Sequence, residues 1–331
     1  MKKLPLIIML ILTSTSSIFA QGETKAKFSN TRNMNYMVAE LQSQISEKYF
    51  DIAKGKILIA KLDEMLTKHL LDTSSLKNAA AEITKMLRAE TNDKHFDLLV
   101  LDNKEQAQRK KDEAGNVGAG ISEIKILNKH IGYLKWDLCV DGENATNRIR
   151  GALNYLEGCS ALIIDITENP GGGSQSGAYL NSILYASNDY QKLLLKKCRT
   201  ESDWQPSEPI YNNSDFKSFH NVPLYILTSP QTASAAEYFA LTIKETKRGK
   251  VLGQTSAGAG NPGRWSIFGL SESDKSFYMF IPTCQIKTKD GLSIEGIGVK
   301  PNIELTSKDR IAETVKYILS ESDLYENHKH L

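Results

Sequence analysis

The hydrophobic pattern divides the chain into two regions, of which the first runs from residue 30 to about residue 92. Apolar side chains recur there at three- and four-residue spacing, which predicts amphipathic helices. The repeats are Met34, Met37, Leu41 and Ile45; Leu58, Leu62, Met65 and Leu66; and Leu76, Ile83, Met86 and Leu87. Each predicted helix is apolar on one side, so we expect a small bundle with the methionines in its core.

The second region begins near residue 121, where predicted strands alternate with predicted helices. Apolar strand patterns such as ALIIDI and VPLYILTS are followed by helical patterns such as GAYLNSILYA and ASAAEYFALTIKE. This alternation predicts an α/β chain with right-handed crossovers in a mixed sheet. Between the two regions, the polar residues 102–118 are predicted to form a solvated loop or hairpin.

The first twenty residues, MKKLPLIIMLILTSTSSIFA, have the pattern of a secretory signal peptide. Two lysines precede a short apolar run, and small and polar residues follow up to Ala20, after which cleavage is expected. An uncleaved anchor is the alternative. No later run is long and apolar enough to span a bilayer. The pattern predicts an exported protein, periplasmic or extracellular, without stable membrane insertion after cleavage.

Charge and cysteine spacing exclude several classes of function. The formal charge is +2, and removal of residues 1–20 takes away two lysines, which gives no support for a nucleic-acid partner. No two cysteines have the C-x-x-C spacing of zinc or dithiol sites, and the sequence predicts no metal and no cofactor. Cys139 and Cys159 lie in apolar runs and are expected to be buried thiols, whereas disulfide pairing is left open.

A glycine-rich loop follows the strand pattern in ALIIDITENPGGGSQSG, residues 161–177. Backbone N–H groups at such a strand-to-helix loop attract negative charge, either a nucleotide phosphate or a developing oxyanion. A phosphate loop needs a Lys followed by Ser or Thr, which is missing, and the glycine spacing does not fit a dinucleotide loop. A tight structural turn is the third interpretation, and the loop alone does not decide between them.

Two further stretches carry candidate chemistry. Ser234 lies between a strand pattern and a helix pattern, where a serine is either a helix N-cap or an exposed nucleophile. In the second case the N–H of Ala235 is available to an oxyanion. Glu295 lies in the glycine-rich turn of GLSIEGIGVKPNIEL, for which a surface turn is the plain alternative.

Together these stretches resemble peptidase family S41, which includes the C-terminal processing proteases, the tricorn core and the retinoid-binding relatives. ALIIDITENPGGG resembles the family pattern "LIIDLRxNPGG", TSPQTASAAEYFA resembles "TxSAxE", KVLGQTSAG resembles "xVxGExTxG", and EGIGVKPNIEL resembles "ExxGVxPDIxV". The resemblance covers about residues 130–305 with the order preserved. It implies a ClpP/crotonase-like mixed sheet flanked by helices, with a helical bundle at residues 21–101 and a catalytic core at residues 102–331.

The resemblance also implies roles for individual residues. Ser234 is the expected nucleophile, and the N–H groups of Gly171 or Gly172 are expected to form an oxyanion hole with that of Ala235. The processing-protease branch uses a Lys whose position falls at Ala259 here, so its Ser–Lys dyad is not expected.

The identity of the general base is left open by the sequence. His95 belongs to the stretch Asn92-Asp93-Lys94-His95, which resembles the "DxH" end of the helical domain in the retinoid-binding-like branch. Lys135 lies where the tricorn-like branch has a His, and His130 is a third candidate. Glu295 matches the late Glu of the tricorn-like branch.

The expected function is a secreted or periplasmic serine peptidase that cleaves peptides or protein tails through an acyl-enzyme on Ser234. The alternative is a catalytically degenerate member of the fold that binds a hydrophobic ligand or peptide. An esterase that uses the same serine is the third hypothesis.

Overall fold

The computed structural model describes residues 14–328 except 73–74, 116–117, 119, 208–210, 212–218 and 271–272. The helices are α1 (Ser14–Lys48), α2 (Ile52–Thr67), α3 (Leu76–Thr91), α4 (Asn103–Gly115), α5 (Glu143–Tyr155), α6 (Gln175–Leu184), α7 (Ala235–Glu245) and α8 (Arg310–His328). The strands are β1 (Asp97–Asp102), β2 (Ile121–Leu127), β3 (Ile131–Trp136), β4 (Ala161–Asp165), β5 (Leu194–Cys198), β6 (Gln205–Pro206), β7 (Leu224–Thr228), β8 (Lys250–Gly253), β9 (Gly263–Gly269), β10 (Lys275–Pro282), β11 (Cys284–Thr288) and β12 (Ile303–Glu304).

A mixed sheet of six strands, in the order β12-β8-β7-β4-β3-β2, forms the centre of the fold. Its strands pair in parallel from β12 to β3, and β2 pairs antiparallel at the edge. Side chains of α5, α6 and α7 share one core with the sheet, and α8 packs with the residues of its opposite face. Strands β4 and β7 are buried throughout, as strands covered on both faces must be. The predicted mixed α/β fold is confirmed.

The predicted helical bundle packs against a second sheet, in the order β1-β10-β9. Apolar residues of α1, α2 and α3 form one core with residues such as Phe277 and Met279 of β10. Strand β1 follows the bundle in sequence and pairs antiparallel with β10. The segment after α3 is therefore held against strands from the later half of the chain. The domain boundary at residue 101 stays a prediction, and in the structure it falls within β1.

A third sheet, in the order β11-β5-β6, carries a disulfide between Cys198 and Cys284. The two cysteines face each other in the antiparallel register of β5 and β11. Cys139 and Cys159 are buried free thiols, as predicted.

The prediction of a loop or hairpin at residues 102–118 is wrong, because residues 103–115 form α4. Its sequence is rich in Lys, Glu, Gln, Ala and Arg, which are strong helix formers. The side chain of Asp102 accepts hydrogen bonds from the N–H groups of Lys104 (2.8 Å) and Glu105 (2.9 Å), which stabilises the first turn.

Most of the predicted signal peptide lies outside the described residues, since only residues 14–20 are included, at the start of α1. Among the described helices, none combines the length and apolar character that crossing a bilayer requires.

Candidate active site

Ser234 lies immediately before α7, in the turn that follows β7. Its backbone has φ 54° and ψ −124°, a conformation that a residue with a Cβ rarely adopts. Such strain is maintained only where surrounding contacts enforce it, and it is common at functional sites. The turn places the side chain of Ser234 at the wall of a cavity.

Glu237 is the contact that holds this turn, and its side chain is fully buried. Its Oε2 accepts hydrogen bonds from the N–H groups of Ser234 (2.9 Å) and Ala259 (2.8 Å). Its Oε1 accepts from the hydroxyl of Ser256 (2.5 Å) and from the N–H of Gly258 (2.7 Å). One carboxylate therefore joins the serine turn to the loop 256–259.

His95 comes from the other part of the molecule, between α3 and β1. Its Nε2 lies 3.0 Å from the Oγ of Ser234, within hydrogen-bond distance. The backbone N–H of His95 donates to Oδ1 of Asp93 (2.9 Å), and the ring stacks on Phe280 at a centroid distance of 5.6 Å. One contact of the backbone and one of the ring thus hold His95 in position beside the serine.

Two carboxyl groups, those of Asp93 and Glu295, lie near the imidazole of His95. Its Nδ1 is buried, accepts or donates no hydrogen bond among the described residues, and lies 3.7 Å from Oδ1 of Asp93. Asp93 already accepts from the N–H of His95 and from Nδ2 of Asn261 (2.9 Å). Glu295 has one oxygen engaged by the N–H groups of Gly260 (2.6 Å) and Asn261 (2.8 Å).

The other oxygen of Glu295, Oε1, is buried and has no partner among the described residues. One ligand atom from each of Asp93, His95 and Glu295 lies within 4.8 Å of the others. Burial, and then the charge of Asp93, raise the pKa of Glu295 to about 7. Glu295 is therefore the carboxyl group near the imidazole that has an oxygen without a partner among the described residues.

These three side chains are also the group from which a metal site would be built among the described residues. A buried imidazole bonded to a serine hydroxyl and faced by carboxylates equally matches a Ser-His-acid arrangement. The bond from Nε2 to Ser234 favours this second interpretation, because it gives the imidazole an acid–base task.

The glycine loop lies beside the serine turn, and Asn169 joins the two. The side chain of Asn169 is fully buried, accepts from the N–H of Gly171 (2.8 Å) and donates to the carbonyl of Trp136 (2.9 Å). Its backbone carbonyl accepts from the N–H of Ala233 (3.0 Å). A Cβ on Gly171 would lie 2.6 Å from the Cβ of Ser234, so only glycine permits this approach.

Gly171 and Gly172 differ in whether their backbone N–H groups already donate a hydrogen bond. The N–H of Gly171 is bonded to Asn169, whereas Gly172 and Ala235 line the cavity that contains the Ser234 side chain. Among the described backbone groups, neither the Gly172 nor the Ala235 N–H donates a hydrogen bond. This pair therefore fits the predicted oxyanion hole better than a pair that includes Gly171.

The cavity beside Ser234 has a volume of about 160 Å³. Its walls combine small residues with a few larger apolar ones, namely Gly172, Ser174, Gly177, Ser207, Ala235, Tyr238, Phe239, Pro262 and Ile286. A cavity of this size and lining accepts a small or medium apolar side chain.

The two other candidate bases, Lys135 and His130, make no contact with Ser234 among those that the structure describes. Nζ of Lys135 lies 2.7 Å from Oε2 of Glu168 and 3.8 Å from Oδ1 of Asp137. The hydrogen bond to Glu168 raises the pKa of Lys135, which is the opposite of what a lysine base needs. His130 is exposed at the start of β3. The structure therefore joins Ser234, His95 and Glu295, and it leaves Lys135 and His130 outside this group.

Sequence reasoning missed the organising roles of Glu237, Asn169 and Asp93. The spacing of Ser234 and Glu237 is that of a helix capping box, and it contained a signal for the buried carboxylate. The bonds of Asn169 and Asp93 depend on tertiary contacts, for which the sequence carries no comparable signal.

Comparisons with known proteins show the family to which the chain belongs. A model of peptidase family S41 matches residues 130–305, more than half of the chain. The chain is 26% identical over 192 residues to the chloroplastic C-terminal processing peptidase of Tetradesmus obliquus, which covers 57% of this chain and 38% of that protein. The chain spans only 32% to 38% of the length of the curated relatives it matches.

Solved structures show the same fold. A lipoprotein from Streptococcus agalactiae superposes with a TM-score of 0.58 at 17% identity, over 95% of this chain and 99% of that chain. The tricorn protease superposes with a TM-score of 0.55 at 10% identity, over 83% of this chain and 34% of that chain. With the match over residues 130–305, these findings show that the chain belongs to peptidase family S41.

Proposed function

We propose that this protein is a serine peptidase that cleaves peptides or protein tails through an acyl-enzyme on Ser234. The observation that carries the proposal is the 3.0 Å distance from Nε2 of His95 to Oγ of Ser234. A serine hydroxyl is a weak nucleophile until an adjacent base removes its proton, and His95 is in position to do so.

In the first step, Nε2 of His95 takes the proton of Ser234 as Oγ attacks the carbonyl carbon of the scissile peptide bond. The oxyanion that forms accepts hydrogen bonds from the N–H groups of Gly172 and Ala235. Glu295, or Asp93 beside it, stabilises the imidazolium through Nδ1. His95 then donates its proton to the leaving amine, and the acyl-enzyme forms.

In the second step, a water molecule gives its proton to His95 and attacks the acyl carbon. The tetrahedral intermediate uses the same oxyanion hole, and His95 returns the proton to Oγ of Ser234. The acid product leaves, and the free hydroxyl is restored. Each proton in the cycle passes through Nε2 of His95.

Action outside the cytoplasm is part of the same proposal. The signal-like residues 1–20 support export. The disulfide between Cys198 and Cys284 gives independent support, because disulfides persist in oxidising compartments. Both observations agree with a periplasmic or extracellular peptidase.

A fluorophosphonate probe tests the proposal, because it phosphonylates serines that are activated by a base and an oxyanion hole, with fluoride as the leaving group. Stoichiometric label on Ser234, absent from folded Ser234→Ala protein, is the expected result. The peptidase and the esterase are then separated by mass-spectrometric detection of cleaved peptide bonds. Absence of label on folded protein would overturn the proposal and favour the non-catalytic binding protein.

A further inference from the structure

A strip of aromatic side chains leads away from His95 across the sheet of β1, β10 and β9. The ring of Phe280 stacks on His95 at 5.6 Å, and Trp265 meets Phe280 edge-on at 5.4 Å. Trp265 and Phe280 face each other in the register of β9 and β10, as do Ile267 and Tyr278. These four residues, Phe280, Trp265, Tyr278 and Ile267, are called the aromatic strip below.

The aromatic strip is accessible at its far end. Trp265 is 39% exposed and Ile267 is 58% exposed, whereas the opposite face of the same sheet is buried against the helical bundle. Contiguous exposed apolar side chains, unlike singly scattered ones, are typical of binding surfaces. The exposed side chains are continuous with the candidate catalytic centre through Phe280.

Strand β9 also offers backbone groups for pairing. It stands at the edge of its sheet, and among the described strands it pairs only with β10. Every second residue of such an edge directs its N–H and C=O away from the partner strand, where an extended peptide is able to pair with them. The strand starts directly after Pro262, which lines the cavity beside Ser234.

The position of His95 decides which part of a substrate reaches this surface. The imidazole must donate its proton to the leaving amine, so the residues after the scissile bond lie on the His95 side of Ser234. The aromatic strip begins on that side, because Phe280 stacks on His95 itself. The residue before the scissile bond is left to the cavity lined by Tyr238, Phe239 and Ile286.

We propose that the aromatic strip and the edge of β9 bind the segment of a peptide substrate that follows the scissile bond, with an apolar side chain placed on Trp265. The inference rests on the proposed peptidase function. Ring-to-ring steps of 5.6 Å and 5.4 Å separate His95 from Trp265. An extended peptide covers that distance in about three residues, so the third residue after the bond is the one read by Trp265.

Helix α4 borders this surface through Arg109. Its guanidinium lies 4.5 Å from the centre of the Trp265 ring and 5.3 Å from that of Tyr278. An apolar side chain that packs on Trp265 shares the ring with this cation, and an acidic side chain is attracted by it. A lysine or arginine at the same substrate position is repelled, so the strip selects against basic residues.

A random peptide library, digested by the protein and sequenced by mass spectrometry, tests the proposal. Cleaved peptides are expected to be enriched about tenfold in apolar residues near the third position after the cut bond. Trp265→Ala is expected to lose this enrichment and Trp265→Phe to keep most of it. The preference at the residue before the bond serves as the internal reference, and it is expected to persist in both variants.

Ile126→Ala is the matched control, because Ile126 is 48% exposed on the edge strand β2 of the other sheet. It is expected to leave both preferences as they are. Two results would overturn the inference while leaving the peptidase function intact. One is cleavage that does not depend on the residues after the cut bond, and the other is full enrichment of apolar residues at the third position in Trp265→Ala.

If the protein cleaves no peptide and is not labelled by the fluorophosphonate, the proposed function fails. Peptide binding then still tests the aromatic strip. Trp204→Phe protein keeps Trp265 as its exposed indole, since Trp136 is fully buried. Titration with acetyl-Ala-Ala-Leu-Ala-Leu-amide is expected to shift the tryptophan fluorescence emission of this variant. The double variant Trp204→Phe/Trp265→Phe is expected to show no shift. Unchanged emission in this case would overturn the inference as well.

Discussion

Nε2 of His95 lies 3.0 Å from Oγ of Ser234, although 139 residues of sequence separate the two. The imidazole is delivered by the segment between the helical bundle and β1, and the serine by the turn before α7. The pairing of β1 with β10 holds the first segment in place. The candidate acid–base pair is therefore a product of tertiary packing between two parts of the chain.

His95→Gln separates the candidate bases. Removal of the imidazole is expected to slow labelling of Ser234 by about 10²–10⁴-fold, which is the usual contribution of general base catalysis. Lys135→Met is expected to label at close to the wild-type rate, because Lys135 is paired with Glu168. The measurement is the second-order rate of fluorophosphonate labelling, with circular dichroism to verify folding. The opposite ranking of the two variants would assign the base to Lys135.

Glu295→Gln tests the carboxyl group whose pKa is raised to about 7. Between its ordinary value of 4.5 and about 7, the folded protein binds more protons than the unfolded chain. By linkage, the free energy of unfolding falls as pH rises through this interval, by about 2 kcal/mol after allowance for partial exposure. Urea titrations from pH 4.5 to 7.5 are expected to show this loss in wild type and a flatter profile in the variant.

The same variant reports on catalysis. A glutamine at position 295 does not carry the negative charge that stabilises the imidazolium, so kcat for peptide cleavage is expected to fall by about 10²-fold or more. Asp93→Asn serves as the comparison, because Asp93 has both oxygens engaged by His95 and Asn261. A larger kcat loss in Asp93→Asn than in Glu295→Gln would make Asp93 the triad acid.

Glu237→Gln tests the buried carboxylate that accepts four hydrogen bonds at the serine turn. The amide keeps one acceptor oxygen and leaves N–H donors facing its own NH₂ group, which costs about 1 to 3 kcal/mol. The urea midpoint and the labelling rate of Ser234 are both expected to fall. Glu245→Gln, at the exposed end of the same helix, is the control and should change neither.

Gly172→Ala is expected to damage the glycine loop. Its φ is 127°, and a Cβ there would lie 2.1 Å from the carbonyl oxygen of Cys139. The loop must shift, and the N–H of residue 172 moves with it, so labelling is expected to fall by about 10²-fold. Gly151→Ala, in α5, meets no atom within 4 Å and is the matched control. Equal labelling of the two variants would remove Gly172 from the oxyanion hole.

The disulfide between Cys198 and Cys284 predicts a thiol count. Denatured, unreduced protein from an oxidising compartment is expected to take up two alkyl groups, on Cys139 and Cys159, and four after reduction. Cys198→Ser is expected to lower the free energy of unfolding by about 2 to 5 kcal/mol. Four alkyl groups before reduction would contradict the disulfide and weaken the argument for export.

The parts of the molecule that sequence predicted well are those encoded by local patterns. Apolar spacing identified the buried strand ALIIDI and the helices of the bundle, because burial imposes a period on each element. Ser234 and Glu295 stood out because each lies in a short motif. Helix α4 was missed, because its sequence has no apolar face and its stability comes from propensity and capping.

Features that depend on contacts between distant parts of the chain could not be predicted from the sequence. The choice among His95, Lys135 and His130 depends on which side chain the packing of β1 brings to Ser234. The pairing of Cys198 with Cys284 follows from the register of β5 with β11. Neither relation produces a periodic or local pattern in the sequence, so neither could be predicted from it.

The order in which the candidate catalytic groups occur along the chain has a consequence for biosynthesis. His95 is made first, the glycine loop and Ser234 follow, and Glu295 is the last of these groups. Since the proposed hydrolysis needs all of them at once, a nascent chain that has not reached Glu295 is expected to be inert. The proposed peptidase activity is therefore expected only after the segments that carry all of these groups have been made and packed together.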